Sequence, residues 1–274
     1  MEIRVEIIDG DQLVDASFAI ADRWDDVPEA VYPNLATLYL MHRASLDKYE
    51  RNLAAFTLLA FHSCAHLKLL PEEMIDLPHI SWVFEKLDLK KNLQPVIRIG
   101  EVDFIGPSDE LENMRFAEWC AADTFYCNYA QDDDIYQLHQ LAAVLYRPVG
   151  IGQEFVPGNA IYRGDTREKF NEHLLKQRTV LMSTLPEAVI KGIYLFFASC
   201  RHFILQDYTN TFPEKKKQDL KENPAGWLDI YDDLRSDNKY IGADRLDEEM
   251  MHSVLFSLER SNIKMNKLKK EHDL

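Results

Sequence analysis

The chain opens on a strict alternation: in "MEIRVEII", Ile3, Val5 and Ile7 are set between Glu2, Arg4 and Glu6. A period of two predicts a strand with one covered face, and "DGDQ" supplies a turn before "ASFAI" returns as its partner. The period then lengthens. "DRWDDVPEAVYPNLATLYLM" starts a helical region whose two prolines limit its pieces. Leu46, Tyr49, Leu53, Phe56 and Ala60 follow at intervals of three or four, the stripe of a helix of about five turns. Around "LQPVIRIGEVDFIGPSDE" it shortens again, because "VIRI" and "VDFI" flank Gly100-Glu101 and stop at Gly106-Pro107, which predicts a second hairpin.

Beyond that point the pattern is helical. Ser108 or Asp109 is placed to cap a helix through "ELENMRFAEWCAADTFYCNYA", which is apolar on nearly every face and therefore predicted to be buried or at an interface. Asp132 to Asp134 then set acids and cap oxygens at the positive end of the next helix. Its stripe is Ile135, Leu138, Leu141, Ala142 and Leu145, and a natural partner is the apolar "IYLFFASC" further on. Pro148 disfavours helical geometry at Arg147, so "LYRP" reads as a stop with a guanidinium near the negative helix end.

Val149 to Asp165, "VGIGQEFVPGNAIYRGD", has little helical period and contains four glycines, and loops of this length inside compact domains are often functional. Asp165 and Glu168 have capping-box spacing for "TREKFNEHLLKQRTVLMS", with Phe170, Leu174, Arg178 and Leu181 on one side. Thr184 and Glu187 repeat that spacing before "PEAVIKGIYLFFASCRHFIL", so a hairpin of two helices is expected. Trp227, Ile230, Tyr231 and Leu234 mark a short helix, and Leu246, Met250, Val254 and Leu258 a last long one. The expected fold class is mainly α: a multi-helix bundle with one or two small β-hairpins. Its segments are 1-107 (hairpin plus helices), 108-208 (central helical core) and 209-274 (further helices), in one compact unit.

Composition narrows the function more than the fold. A formal charge of -15, from 31 Lys and Arg against 46 Asp and Glu, repels phosphate backbones, so no direct nucleic-acid partner is expected. Lys215 to Lys217 and Lys264 to Lys270 are short interspersed runs, read as solvated helix faces. Cys64, Cys120, Cys127 and Cys200 sit in apolar helical patterns without a CxxC, which suits reduced core cysteines. "AVIKGIYLFFASCRHFIL" carries Lys191, Arg201 and His202, so no membrane partner is expected and a soluble protein is.

Candidate chemistry is sparse. His62 and His66 in "FHSCAH" share a helix face as zinc-binding histidines do, but Cys64 points elsewhere and no Glu follows the first His. They also continue the row of Ala54 and Leu58, and core or helix-end histidines are the commoner outcome. Glu249 and His252 make an ExxH without the second ExxH that a di-iron bundle needs. "GIGQEF" lacks the third glycine of a dinucleotide fingerprint and the Lys-Ser/Thr of a phosphate loop. Glu118 and Asp123 are acids on an apolar helix, where burial raises pKa values and suits a functional role. The competing account pairs them with a core-lining arginine such as Arg115 or Arg178. No catalytic, cofactor-binding or metal-ligating residue, and no cofactor, is assigned. Phe155, Val156, Ile161 and Tyr162, apolar and aromatic groups on the long loop, are the candidate partner contacts, and packing of the loop on itself is the alternative.

The block "MRFAEWCAADTFYCNY", "LHQLAAVLYRPVG", "REKFNEHLLKQ" and "LPEAVIKGIYLFFASC" resembles a group of uncharacterised proteins encoded among tailed-phage structural genes. In that group a helix ending in "aVLYRP" follows a helix of the first pattern, and two helices come after. The likeness spans about Met114 to Cys200, with a looser echo in "IADRWDDV" and in Trp227 to Leu258. It implies a non-enzymatic virion or assembly protein, of the kind of a tail-assembly chaperone, whose partner is another phage structural or tail protein. The implied setting is the host cytoplasm during assembly, or the virion. The group supplies no catalytic residues. A metal-binding protein or enzyme centred on His62 and His66 is the alternative.

Overall fold

The computed structural model describes residues 2–9, 12–41, 48–63, 80–213, 230–231, 234 and 243–271. It is mainly helical, with a two-stranded and a three-stranded antiparallel sheet. The chain divides into two compact units: Met1–Gln94 with Pro186–Ser199, and Pro95–Leu185 with Cys200–Leu274. The segment boundaries expected from the sequence lie at 107 and 208.

In the first unit β1 (Glu2–Asp9) and β2 (Gln12–Ala19) pair antiparallel from Glu2 opposite Ala19 to Asp9 opposite Gln12. The predicted hairpin is there, with the tight register that the short polar connection dictates. An aromatic cluster follows in the same unit. Trp24, in a single 3-10 turn, meets Tyr32, Tyr39 and Trp82 edge-on at 6.4, 5.6 and 5.9 Å between ring centres, the offset geometry that ring quadrupoles favour. Tyr32 and Tyr39 lie on α1 (Tyr32–Met41), which starts at the second of the two prolines, and Trp82 begins the short α3 (Trp82–Glu85). Between them in sequence, α2 (Lys48–Ser63) buries Ala55, Phe56, Leu59 and Ala60. The period therefore placed Phe56 and Ala60 correctly, while Leu53 is half-buried.

The long helix α7 (Glu187–Asp207) contributes its first turns, to Ser199, to this unit. The Tyr32 hydroxyl donates to the Gly192 carbonyl at 2.6 Å, and a Cβ on Gly192 would lie 2.1 Å from the Gln94 side-chain oxygen. A side chain there would have to displace the Gln94 amide and press on the Tyr32 ring, 3.0 Å from the added carbon. By length and composition α7 could cross a membrane, at a mean hydropathy of 1.4, and half of that window is buried inside the folded protein.

The second unit is built around α4 (Phe116–Asp132) and α5 (Ile135–Leu145). Asp134 caps α5 by accepting the Tyr136 N–H at 3.0 Å, and Leu138, Leu141, Ala142 and Leu145 are buried as predicted, with Ile135 exposed. α5 packs against α4 on one side and α6 (Glu172–Met182) on the other. The segment "IYLFFASC", which the matching stripes had suggested as its neighbour, lies in the first unit up to Ser199. α8 (Ala243–Glu248) and α9 (Met251–Glu271) also pack on α4.

One local prediction is extended here and two are corrected. The second hairpin, β3 (Val96–Ile99) with β4 (Val102–Ile105), gains a third strand, β5 (Arg147–Pro148), so "LYRP" ends a helix and joins a sheet. α4 does not start from Ser108 or Asp109: Glu110 and Leu111 hold φ of 54° and 60°, and the helix begins after Arg115. The side chains of Ser108 and Asn113 instead accept each other's backbone N–H, closing a turn that a helix would have opened. Asp165 and Glu168 cap nothing. Asn171 caps α6, and its buried face is Arg178, Thr179 and Met182 rather than Leu174 and Leu181.

Candidate functional site: a buried arginine network beneath a cleft

Arg147 follows the last turn of α5, where the final carbonyls lack helical partners and carry the negative end of the helix dipole. Its guanidinium turns back and donates to the Val144 carbonyl at 2.8 Å, and to the Glu168 carbonyl at 2.8 Å. Arg167 donates to the next orphan, the Leu145 carbonyl, at 2.8 Å. Two arginines thus finish one helix. Neither is accessible, with Arg147 at 0% and Arg167 at 1% exposure, so each needs a compensating anion.

Glu118, on the first turn of α4, supplies it. One carboxylate oxygen accepts from Arg147 at 2.7 Å, and the other lies 3.3 Å from Arg167 and 3.4 Å from the backbone N–H of Arg115. Asp165 completes the set, accepting from Arg167 at 2.8 to 3.1 Å and from the Asn113 amide at 3.3 Å, with Arg147 3.6 Å away. Two positive and two negative groups, 0–8% exposed at their side chains, balance in charge. Burial pulls the Arg147 guanidinium down to about 10, a pull that Glu118 opposes, so it stays charged at neutral pH. Burial also acts against the charge on Arg167, but Glu118 and Asp165 outweigh it and hold that guanidinium above its usual range. Further out, Arg178 pairs with Glu168.

The network answers the sequence reading of Glu118 and Asp123. Both acids are ion-paired, with partners other than those expected: Glu118 takes Arg147 and Arg167, and Asp123 takes Arg201 of α7, while Arg178 binds Glu168 and Arg115 donates to the carbonyls of Arg163 and Glu248. Arg167 carried no signal of its own in the sequence, since it sits in a polar stretch without periodicity.

Above the network lies a cleft of about 1000 Å³ walled by α4, the long loop, the start of α6, Tyr231 and the end of α8. Its rim carboxylate Glu248 is bound by Arg163 and Lys169, and Asp247 accepts from Tyr231. Burial, with Glu172 and Glu248 nearby, pushes the Asp247 carboxyl up. Cys120 lines the cleft, but burial and the charge of Asp123 push its thiol well up, which removes thiolate at neutral pH. Cys127 is raised in the same way. The inner carboxylates Glu118 and Asp165 already accept from guanidinium groups.

The long loop is closed at its base like a hairpin. Gly150 N–H donates to the Thr166 carbonyl and Glu168 N–H to the Pro148 carbonyl, both at 2.9 Å, and Val149 bridges Arg167. Arg163 N–H reaches back to the Glu154 carbonyl at 3.0 Å. Inside this frame Phe155 is buried, with its ring 2.4 Å from where a Cβ on Gly150 would stand. Of the four candidate contacts, Phe155 is therefore turned inward and Tyr162 is half-buried, while Val156 and Ile161 are 53% and 59% exposed. Sequence reasoning passed over Ile151, which is 97% exposed beside them in the chain.

His62 is exposed at the end of α2, and His66 and Cys64 lie outside the described residues. His252 Nδ1 lies 3.2 Å from the Tyr208 hydroxyl, and Glu249 takes part through its carbonyl, which accepts the Phe116 N–H at 2.9 Å. Among the described residues no group of three or more His, Cys, Asp or Glu is placed to hold a metal ion. Comparison with protein-family models, with curated proteins and with solved structures gives no match.

Proposed function

We propose that this chain is a non-enzymatic assembly protein of a tailed phage, a tail-assembly chaperone in its most specific form, that binds another phage structural protein in the host cytoplasm. The observation that carries the protein-binding part is the division of labour around Arg147. The charged side chains beneath the cleft are spent on one another and on the end of α5, whereas the loop they brace offers Ile151, Val156 and Ile161 to solvent. An ordered loop loses little conformational entropy on binding, so exposed aliphatic groups on it favour contact with a partner. The phage setting rests on the resemblance carried by "aVLYRP" and its flanking helices.

Co-expression with the structural proteins encoded beside it tests the reading. A stable complex with one of them is expected, and Ile151→Ser with Ile161→Ser should weaken it while leaving thermal melting unchanged. Absence of any complex, together with stoichiometric zinc that chelation removes at a cost in melting temperature, would transfer the assignment to a metal protein centred on His62 and His66.

A further inference from the structure

The helix α9 carries a heptad seam that is apolar except at Ser261, and only its first half is covered. Met251, Val254, Leu258, Ser261, Met265 and Leu268 alternate at three and four residues, the spacing of positions a and d in a heptad. Met251 and Val254 are buried and Leu258 is half-buried, on a helix that packs against α4. Over the last three turns the same seam emerges, with Ser261 exposed, Met265 53% exposed and Leu268 40% exposed. A row that is core at one end and solvent at the other is a helix face built for two surfaces.

The flanks say what the second surface is. In this register Lys264 and Lys269 border the open half of the seam at the g and e positions. Of the described acids on this helix, Glu259 accepts from Asn210 and Thr211 at 2.7 to 3.0 Å, and Glu271, at the last g position, lies 3.9 Å from Lys267. The flanks of the open seam, Asn262, Lys264, Lys269 and Glu271, thus carry a net positive charge on a chain of formal charge -15. A second copy of this helix is a poor occupant, because parallel pairing sets Lys264 against Lys269 and antiparallel pairing sets each against itself. An anionic membrane is a poor one as well. Phe256 and Ile263, also exposed, lie on the opposite side of the helix from Met265 and Leu268, so no single broad apolar face exists to enter a bilayer surface.

We propose that residues 261–271 of α9 dock an acidic amphipathic helix of another protein, its apolar a and d positions on Met265 and Leu268 and its carboxylates on Lys264 and Lys269. The surface is distinct from the long loop, and the proposal stands whether or not that loop binds a partner.

The test uses the full chain and two synthetic three-heptad peptides with Leu at a and d, one with Glu and one with Lys at e and g. Fluorescence anisotropy should show the Glu peptide binding about tenfold tighter than the Lys peptide at low salt. That preference should shrink in high salt. Met265→Glu with Leu268→Glu should abolish binding, and Lys264→Glu with Lys269→Glu should reverse the preference, both with unchanged thermal melting. Equal affinity for the two peptides, or binding that survives the Met265 and Leu268 substitutions, would overturn the proposal. So would a dimer of the free chain that Leu268→Glu dissolves, or co-sedimentation with phosphatidylserine vesicles in place of peptide binding.

Discussion

Replacing Arg147 by Met keeps most of the side-chain length and removes the fork that ties α4, α5 and the 165–168 segment together. Three acceptors lose a donor: the Val144 and Glu168 carbonyls, each at 2.8 Å, and a Glu118 oxygen at 2.7 Å. Each unsatisfied buried carbonyl costs roughly 1 to 3 kcal/mol, and removing one member of a buried ion pair costs about 3 to 5 kcal/mol. These do not add, because Arg167 remains within 3.3 Å of Glu118 and the cleft that Arg147 and Glu118 line can admit water. The expected loss is about 3 to 5 kcal/mol in the second unit. Since the chain has two units, hydrogen exchange across a urea series, read on peptides from α4 and α5, is the appropriate measurement. Arg147→Lys should lose less, keeping a charge near Glu118 but not three directed donors. A loss under about 1 kcal/mol for Arg147→Met would mean that the acceptors are satisfied by water and that the network does not hold the unit together.

Leu141→Ala should cost about 2 to 5 kcal/mol, because Leu141 is fully buried on a helix packed between α4 and α6, whereas Ile135→Ala on the exposed first turn should stay within about 0.5 kcal/mol; urea midpoints compare them. Gly150→Ala places a methyl against the Phe155 ring and should cost about 1 to 3 kcal/mol, seen as faster proteolysis between residues 151 and 163. At Glu259, burial alone would raise the carboxyl, but the donors of Asn210 and Thr211 hold it below its ordinary value. Its stabilising contribution is therefore complete above the unfolded carboxylate pKa of about 4.3 and is lost as pH falls through the lower folded value, so Glu259→Gln should flatten the acid side of the stability profile in that window. An unchanged acid limb would show that those hydrogen bonds do not favour the charged form.

The elements that could be read from the chain alone are those specified by neighbours in sequence. The alternation in "MEIRVEII", the paired "VIRI" and "VDFI", the Asp134 cap and the stripe from Leu138 to Leu145 depend on periods of 2 and 3.6 and on local turn chemistry, and each appears where it was expected. The stop at "LYRP" was equally legible, since proline restricts the residue before it. What the local pattern cannot carry is the choice among equivalent partners. Glu118 had several arginines of the right charge to choose from, and only the fold brings Arg147 and Arg167, 29 and 49 residues away, within reach. The capping-box spacing of Asp165 and Glu168 was satisfied on paper, but buried guanidinium groups nearby are stronger claimants for those carboxylates than a helix end. The same competition decided the loop. Its composition announced apolar groups without helical order, and only packing against Gly150 determined that Phe155 turns inward while Ile151, Val156 and Ile161 face solvent.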